Sequence, residues 1–136
     1  MKAFLDTNVL VSAVATRGLC ADVLREVLAS HQLVVSAPLF NELGRILRRK
    51  VGLPRELIRE FREMLVEDSQ FADSSPSVAL GIRDKDDLPI LSSALNGAAD
   101  LFITGDKELL KLHKVGRMRI VSPRRFWEIL RGEKTD

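Results

Sequence analysis

The stretch Lys2–Ser12, KAFLDTNVLVS, is a strand that passes into a helix through one polar turn. Residues 3–5 form a short apolar run, and residues 9–14 carry apolar side chains at helical spacing. The turn between them, Asp6-Thr7-Asn8, has the composition of a helix N-cap. In an open parallel α/β sheet, ligands bind outside the carboxyl ends of the strands. Asp6 is therefore expected either to cap the helix or to face a binding site.

The size and composition of the chain bound its class. With 136 residues, of which 46% are hydrophobic, it is long enough to bury one core, and we expect a single domain over residues 1–136. No apolar run approaches the roughly 18 residues of a membrane span, and Met1-Lys2 leads directly into the strand, so the expected location is the cytoplasm. One cysteine and two histidines cannot form an intrachain disulfide or a zinc site. Any bound metal must be held by oxygen.

Strand and helix patterns alternate along the rest of the chain. Further strands are predicted at residues 33–35, 70–72, 101–104 and 119–121, with amphipathic helical patterns in between. The connections are long enough for right-handed βαβ crossovers. This alternation predicts an α/β fold of three layers, α/β/α, in which helices cover both faces of a parallel sheet.

Residues 38–50 and 54–68 are predicted to form a helical hairpin. Its turn contains Gly52 and Pro54, which end one helix and begin the next. The second helix carries more apolar side chains than a peripheral hairpin needs on one face: Leu57, Phe61, Met64 and Leu65. We expect these side chains either to complete the core or to contact another chain, as in a homodimer.

Four acidic residues lie where a helix begins or soon after a strand ends. Asp6 and Asp106 follow apolar strands, Glu42 lies in the helix after the second strand, and Asp87 precedes a later helix. Because parallel strands end at the same edge of a sheet, the four carboxylates are expected to meet there. For Glu42 the ordinary alternative is an exposed helical residue that pairs with a neighbouring arginine.

Asp87 is the last of three clustered aspartates, after Asp84 and Asp86. The helix dipole stabilises acids in a first turn by about 0.3–1 kcal/mol, which explains the cluster without a function. Asp84 and Asp86 are better placed to cap, whereas a step of 100° per residue puts Asp87 on the side of the helix that faces the core. Pro89 limits how early this helix begins.

Carboxylates gathered at one edge repel one another and raise each other's pKa, so the cluster needs a divalent cation. Ligation by oxygen alone selects Mg²⁺ or Mn²⁺. A water on such an ion has a lowered pKa and is a nucleophile for a phosphodiester. Polar residues beside the acids could hold that water or a phosphate oxygen, although each is also explained as a cap or surface residue: Thr7, Asn8, Thr104 and Lys107.

Two other classes of acidic α/β protein fit less well. A phosphatase that forms a phosphoaspartate would have a second aspartate two residues after Asp6, where Asn8 stands. A dinucleotide-binding fold would have a glycine-rich fingerprint after the first strand, and this chain has none.

Three segments and one glutamate together resemble the PIN-domain ribonucleases, over nearly the whole chain. They are FLDTNVLVSA at 4–13, Glu42, DKDDLPILSSAL at 84–95 and LFITGDKELL at 101–110. The likeness is greatest to the toxin component, of VapC type, of prokaryotic toxin–antitoxin systems. It implies an endoribonuclease that depends on Mg²⁺ or Mn²⁺, with about five parallel strands. It also implies an acidic site of Asp6, Glu42, Asp87 and Asp106, with Asp84 as an auxiliary ligand. The sequence leaves open whether an antitoxin partner exists.

Two questions stay open at this point. The same sequence fits a catalytically silent PIN-like module that binds RNA or a partner protein. If RNA is the substrate, basic residues near the acids would steer it: Arg17, Lys85, Lys107 and Lys111, with Arg45, Arg48 and Arg49 as an extension. The pattern does not indicate which RNA is cut.

Overall fold

The computed structural model describes residues 1–76 and 87–132. The strands are β1 (Lys2–Leu5), β2 (Gln32–Ser36), β3 (Gln70–Ala72), β4 (Leu101–Ile103), β5 (Lys114–Val115) and β6 (Met118–Val121). The helices are α1 (Thr7–Ala15), α2 (Leu19–Ser30), α3 (Ala37–Ile46), α4 (Arg55–Val66), α5 (Leu88–Asn96), α6 (Lys107–Leu110) and α7 (Pro123–Leu130). A π-helical turn, Leu47–Val51, continues α3.

The strands form one sheet in the order β3-β2-β1-β4-β6-β5. Neighbouring strands from β3 to β6 pair in parallel, and the two-residue β5 runs antiparallel to β6. The predicted three-layer α/β/α fold with about five parallel strands is therefore confirmed. The β5–β6 hairpin is an addition that the sequence pattern did not indicate.

The two central strands form the middle of the core. Residues 3–5 of β1 and 101–103 of β4 are at most 2% exposed. Phe4 and Phe102 are partners in the parallel register, and their rings stack with centroids 5.4 Å apart. A slip of one residue would turn each of these side chains to the opposite face of the sheet, so the stack stabilises the register. The residue that follows each strand is thereby held at the same edge.

The helical hairpin is present and has an irregular corner. The Ser36 hydroxyl accepts a hydrogen bond from the Leu39 N–H at the start of α3. After the π-helical turn, Gly52 adopts a left-handed conformation with φ of 80°, which a residue with a Cβ adopts only with strain. The chain then reverses into α4. Leu65 is fully buried, whereas Leu57 is 48% and Met64 43% exposed, so the apolar residues of α4 serve two different surfaces.

The end of α5 packs closely on the sheet. Gly97 is buried, and a Cβ at this position would lie 2.7 Å from Val34 Cγ1 and 2.9 Å from Ala72 Cβ. Both distances are shorter than van der Waals contact, so glycine is required there by space. This close approach sets how near the end of α5 lies to β2 and β3.

Among the described residues, no single helix is long and apolar enough to cross a membrane. Helices α1 and α2 meet that requirement of length and composition only as a pair, which is bent by 108°. The apolar residues Val9, Val23 and Val27 of this pair are buried in the core.

Candidate active site

The sheet register places Asp6 beside Thr104. Leu5, the last residue of β1, pairs with Ile103, the last residue of β4. The Asp6 N–H donates to the carbonyl oxygen of Ile103 at 2.9 Å, and the Thr104 hydroxyl donates to Asp6 Oδ2 at 2.7 Å. The strand order reverses between β1 and β4, because β2 lies on one side of β1 and β4 on the other. Asp6 is therefore at the topological switch point, where open α/β sheets bind ligands.

Asn8 links the turns that follow these two strands. Its Nδ2 donates to Asp6 Oδ2 at 3.1 Å, and its Oδ1 accepts from the Gly105 N–H at 2.9 Å. The Thr104 hydroxyl oxygen in turn accepts from the Asp106 N–H at 3.0 Å. The side chain of Asp6 is thus held in one orientation by groups from both turns.

Asp6 is a buried carboxyl with a raised pKa. It is 5% exposed, and burial raises its pKa to about 6 from the ordinary value of 3.8. Hydrogen bonds from Thr104 and from the Thr7 N–H oppose this rise. Repulsion by the carboxylates of Glu42 and Asp106 adds to it. Three of the four predicted acids are therefore within electrostatic reach of one another.

Asp6 and Asp106 each cap a helix and also lie at the site. Asp6 Oδ1 accepts from the Thr7 N–H at 2.8 Å at the start of α1. Asp106 Oδ1 accepts from the Glu108 N–H at 2.8 Å at the start of α6. Each aspartate caps a helix while it remains at the carboxyl edge of the sheet. The two interpretations of Asp6, as a cap or as a site residue, do not exclude each other.

Glu42 and the start of α5 border a common cavity. A cavity of about 210 Å³ is lined by Pro38, Asn41, Glu42, Arg45, Pro89 and Ile90. Asp87 lies immediately before α5, is half-buried and makes no capping hydrogen bond to the helix. Asp84 and Asp86 lie outside the described residues, as does Lys85.

The polar residues predicted beside the acids divide into two groups. Asn8 and Thr104 belong to the hydrogen-bond network of Asp6. Thr7 is buried, and its hydroxyl has no hydrogen-bond partner in the described ranges. Lys107 is exposed and takes no part in that network. The sequence pattern missed the Gly105 N–H, although a glycine directly after a strand and before Asp106 is a signal for close backbone contact.

The chemistry of this site suits a hard divalent cation. The side-chain groups that could bind a metal here are oxygens, and Asp6 is repelled by two neighbouring carboxylates. The buried Thr7 hydroxyl lacks a partner. Within residues 1–76 and 87–132, no three acidic, histidine or cysteine side chains already form an arrangement that could hold a metal ion. The described residues thus fit the ion in donor type and charge, but they do not form a preassembled cage.

The fold and the acidic edge together define an α/β domain with a carboxylate-lined crevice at the switch point of its sheet. The chain belongs to the PIN-domain family, since the model of the PIN domain matches residues 2–108. Comparison with curated proteins finds no match.

A similar solved structure is the crystal structure of VapBC2 from Rickettsia felis bound to a DNA fragment from their promoter. The TM-score is 0.61 at 16% sequence identity, and the match covers 90% of this chain and 98% of that one. A likeness at this identity is one of fold. The resemblance to PIN domains that the sequence motifs indicated is confirmed.

Proposed function

We propose that this protein is an endoribonuclease that depends on Mg²⁺ or Mn²⁺ and acts in the cytoplasm as the toxin of a toxin–antitoxin pair. The observation that carries the proposal is the buried, oriented Asp6 at the switch point, with Glu42 and Asp106 close enough to raise its pKa. Membership of the PIN family supports a nuclease. The fold likeness to VapBC2 supports the toxin and an antitoxin partner.

The acids Asp6, Glu42, Asp87 and Asp106 would hold the ion, with Asp84 as an auxiliary ligand. The ion, when bound, supplies charge neutralisation and lowers the pKa of an attacking water. Thr104 and Asn8 orient Asp6 through hydrogen bonds to its Oδ2. The Thr7 hydroxyl has no partner in the described ranges but is buried, so it would have to become exposed to meet a phosphate oxygen or a water. Lys107, next to Asp106, is an exposed cation for a phosphate.

The test is cleavage of a labelled single-stranded RNA by the purified chain in Mg²⁺ or Mn²⁺. We expect internal cleavage that stops in excess EDTA and returns when Mn²⁺ is added beyond the chelator, because the carboxylates lose their counter-charge without the ion. RNA that is bound but not cut in either metal would favour the alternative, a catalytically silent PIN-like module. Cleavage that is unchanged by EDTA would contradict the metal dependence. A reading frame for a small DNA-binding protein beside the gene would support the antitoxin.

We also propose that the chain forms a homodimer through an apolar patch formed by Leu28, Leu57 and Met64, which are 37%, 48% and 43% exposed. Leu28 and Met64 line a second cavity of about 210 Å³ together with His31 and Leu33. Exposed apolar clusters on small domains commonly mark contacts with other chains.

The double variant Leu57→Glu/Met64→Glu should be a folded monomer, because a two-fold interface would contain both charges on both subunits. Light scattering gives the mass, and thermal melting reports the fold. Phe71→Glu is the matched control, since Phe71 is 53% exposed but lies on edge strand β3. Phe61 is less informative, because it is half-buried against the core and a charge there would test folding. A double variant with the mass of a wild-type dimer would exclude this patch.

A further inference from the structure

A groove lined by arginines runs along the helical hairpin. It lies between α3 with its π-helical turn and α4, and has a volume of about 640 Å³. The charged residues that line it are Arg45, Arg48, Arg49, Arg55, Arg59 and Arg62. No acidic residue of the described ranges lines it. Its charge of six is large beside the formal net charge of +2 of the whole chain.

The charges of α4 are segregated by helical face. Arg55, Arg59 and Arg62 are spaced i, i+4 and i+7 and share one face. The glutamates at positions 56, 60 and 63 follow each arginine by one residue, so they lie about 100° further round the helix. The exposed Leu57 and Met64 lie on the far side of the buried Leu65 from the arginines. The positive face is thus directed to the groove and is separate from the proposed dimer patch.

The groove arginines are largely without internal partners. Arg59 is 4.0 Å from Glu63, with both side chains about 70% exposed, and such surface pairs contribute little stability. Arg62 lies 4.9 Å above the ring of Phe40, and Arg48 donates to the Leu53 carbonyl oxygen at 3.3 Å. In the part of the chain that the structure describes, Arg45, Arg49 and Arg55 form no ion pair.

The groove adjoins the acidic site. Asn41 and Arg45 line both the groove and the smaller cavity that contains Glu42. A chain that lies in the groove and crosses Asn41 and Arg45 therefore reaches Glu42. Because arginine forks bind phosphate oxygens in bidentate fashion, a repeating phosphate backbone suits this arrangement of cations.

We infer that the arginine groove binds the sugar–phosphate backbone of the RNA on which the acidic site acts. This inference rests on the proposed nuclease function and adds where the substrate lies. The arginines lie in a row beside the carboxylates. They therefore bind phosphates several nucleotides from the cut, along α3 and α4. Contacts of this kind position a nucleic acid and do not read its sequence.

The experiment measures RNA binding in an Asp6→Asn background, which separates binding from cleavage. Fluorescence anisotropy with a labelled single-stranded oligoribonucleotide gives the affinity at several salt concentrations. The added double substitution Arg49→Ala/Arg55→Ala should weaken binding roughly tenfold or more at low salt. The slope of log K against log salt should fall by about 1.4 in magnitude, at about 0.7 for each contact with a single strand. Thermal melting should be unchanged, since both side chains are exposed.

The matched control is Arg25→Ala/Arg124→Ala in the same background. It removes the same charge from α2 and α7, where the side chains are 73% and 84% exposed. We expect its affinity and salt slope to stay close to those of the Asp6→Asn parent. Equal values for the groove and control variants would overturn the inference and would leave the groove to another polyanion, such as an acidic protein segment.

Two further arms separate the possible failures. The substitutions Arg49→Ala/Arg55→Ala should weaken binding of a DNA oligonucleotide of the same sequence by a similar factor, because DNA and RNA both carry backbone phosphates. If these substitutions weaken binding of DNA but not of RNA, the inference is overturned. Cleavage by the chain with Asp6 intact is measured separately in Mn²⁺. An intact chain that shows groove-dependent RNA binding but no cleavage would refute the nuclease and retain the groove as an RNA-binding surface.

Discussion

An Asp6→Asn variant should fold like the wild-type chain and hydrolyse RNA about 100-fold to 1000-fold more slowly, the range for loss of one preorganised electrostatic group. The amide keeps the volume of the carboxylate and one oxygen that can accept from the Thr7 N–H or the Thr104 hydroxyl. It removes the charge that would face a divalent cation. Initial cleavage rates in saturating Mn²⁺, together with a thermal melt, measure the two effects separately.

Asp100→Asn is the matched control for this variant. Asp100 directly precedes β4, and its Oδ2 accepts from the Lys2 N–H at 2.8 Å. It is thus an aspartate hydrogen-bonded to the backbone on the same pair of strands, but at the opposite edge of the sheet. We expect full activity from it. A folded Asp6→Asn chain with the wild-type rate, or an equal loss in Asp100→Asn, would contradict the assignment of the site.

The positions of Asp6 and Asp106 could be predicted because both follow short apolar runs. Such runs are strands buried by helices, and the carboxyl ends of parallel strands share one edge. The sequence left open whether Asp6 caps a helix or belongs to the site. Those two interpretations were set against each other as if the side chain had only one role. In the structure one carboxylate oxygen meets the Thr7 N–H and the other meets Thr104 and Asn8.

The network around Asp6 could not be predicted in full, because it depends on the order of the strands. Asp6 and Thr104 are 98 residues apart in sequence, and local periodicity does not say that β1 and β4 are neighbours. The same holds for the β5–β6 hairpin, whose two-residue strand is too short to show a pattern.

Only half of the arginines that line the groove could be recognised from the sequence as a basic cluster. Arg45, Arg48 and Arg49 stand out as a basic run, but Arg55, Arg59 and Arg62 alternate with glutamates and look like an ordinary solvated helix. Their helical spacing separates the two charges. That the two sets face each other depends on the π-helical turn and on Gly52, which decide how α4 folds back on α3.

The raised pKa of Asp6 has a direct consequence for the stability of the metal-free protein. In the unfolded chain its pKa is near the ordinary 3.8, and in the folded chain it is about 6. Between these values the folded state binds more protons than the unfolded state, so stability falls as pH rises. This destabilisation of the folded state by Asp6 is absent below about pH 4 and complete above about pH 6. At 1.36 kcal/mol for each pKa unit, it amounts to about 3 kcal/mol.

In EDTA, the free energy of unfolding of the wild type should therefore fall by about 3 kcal/mol relative to Asp6→Asn between pH 4 and pH 7. Urea unfolding of both proteins across this range isolates the contribution of Asp6 together with its coupling to Glu42 and Asp106, because groups outside this acidic cluster titrate alike in the two chains. Mg²⁺ should restore more stability to the wild type at pH 7.5 than at pH 5, since it binds the ionised carboxylates of the folded state. Parallel pH profiles for the two proteins would show that Asp6 titrates normally in the fold. A wild type that gains stability relative to Asp6→Asn as pH rises would mean that hydrogen bonds from Thr104 and Thr7 outweigh its burial.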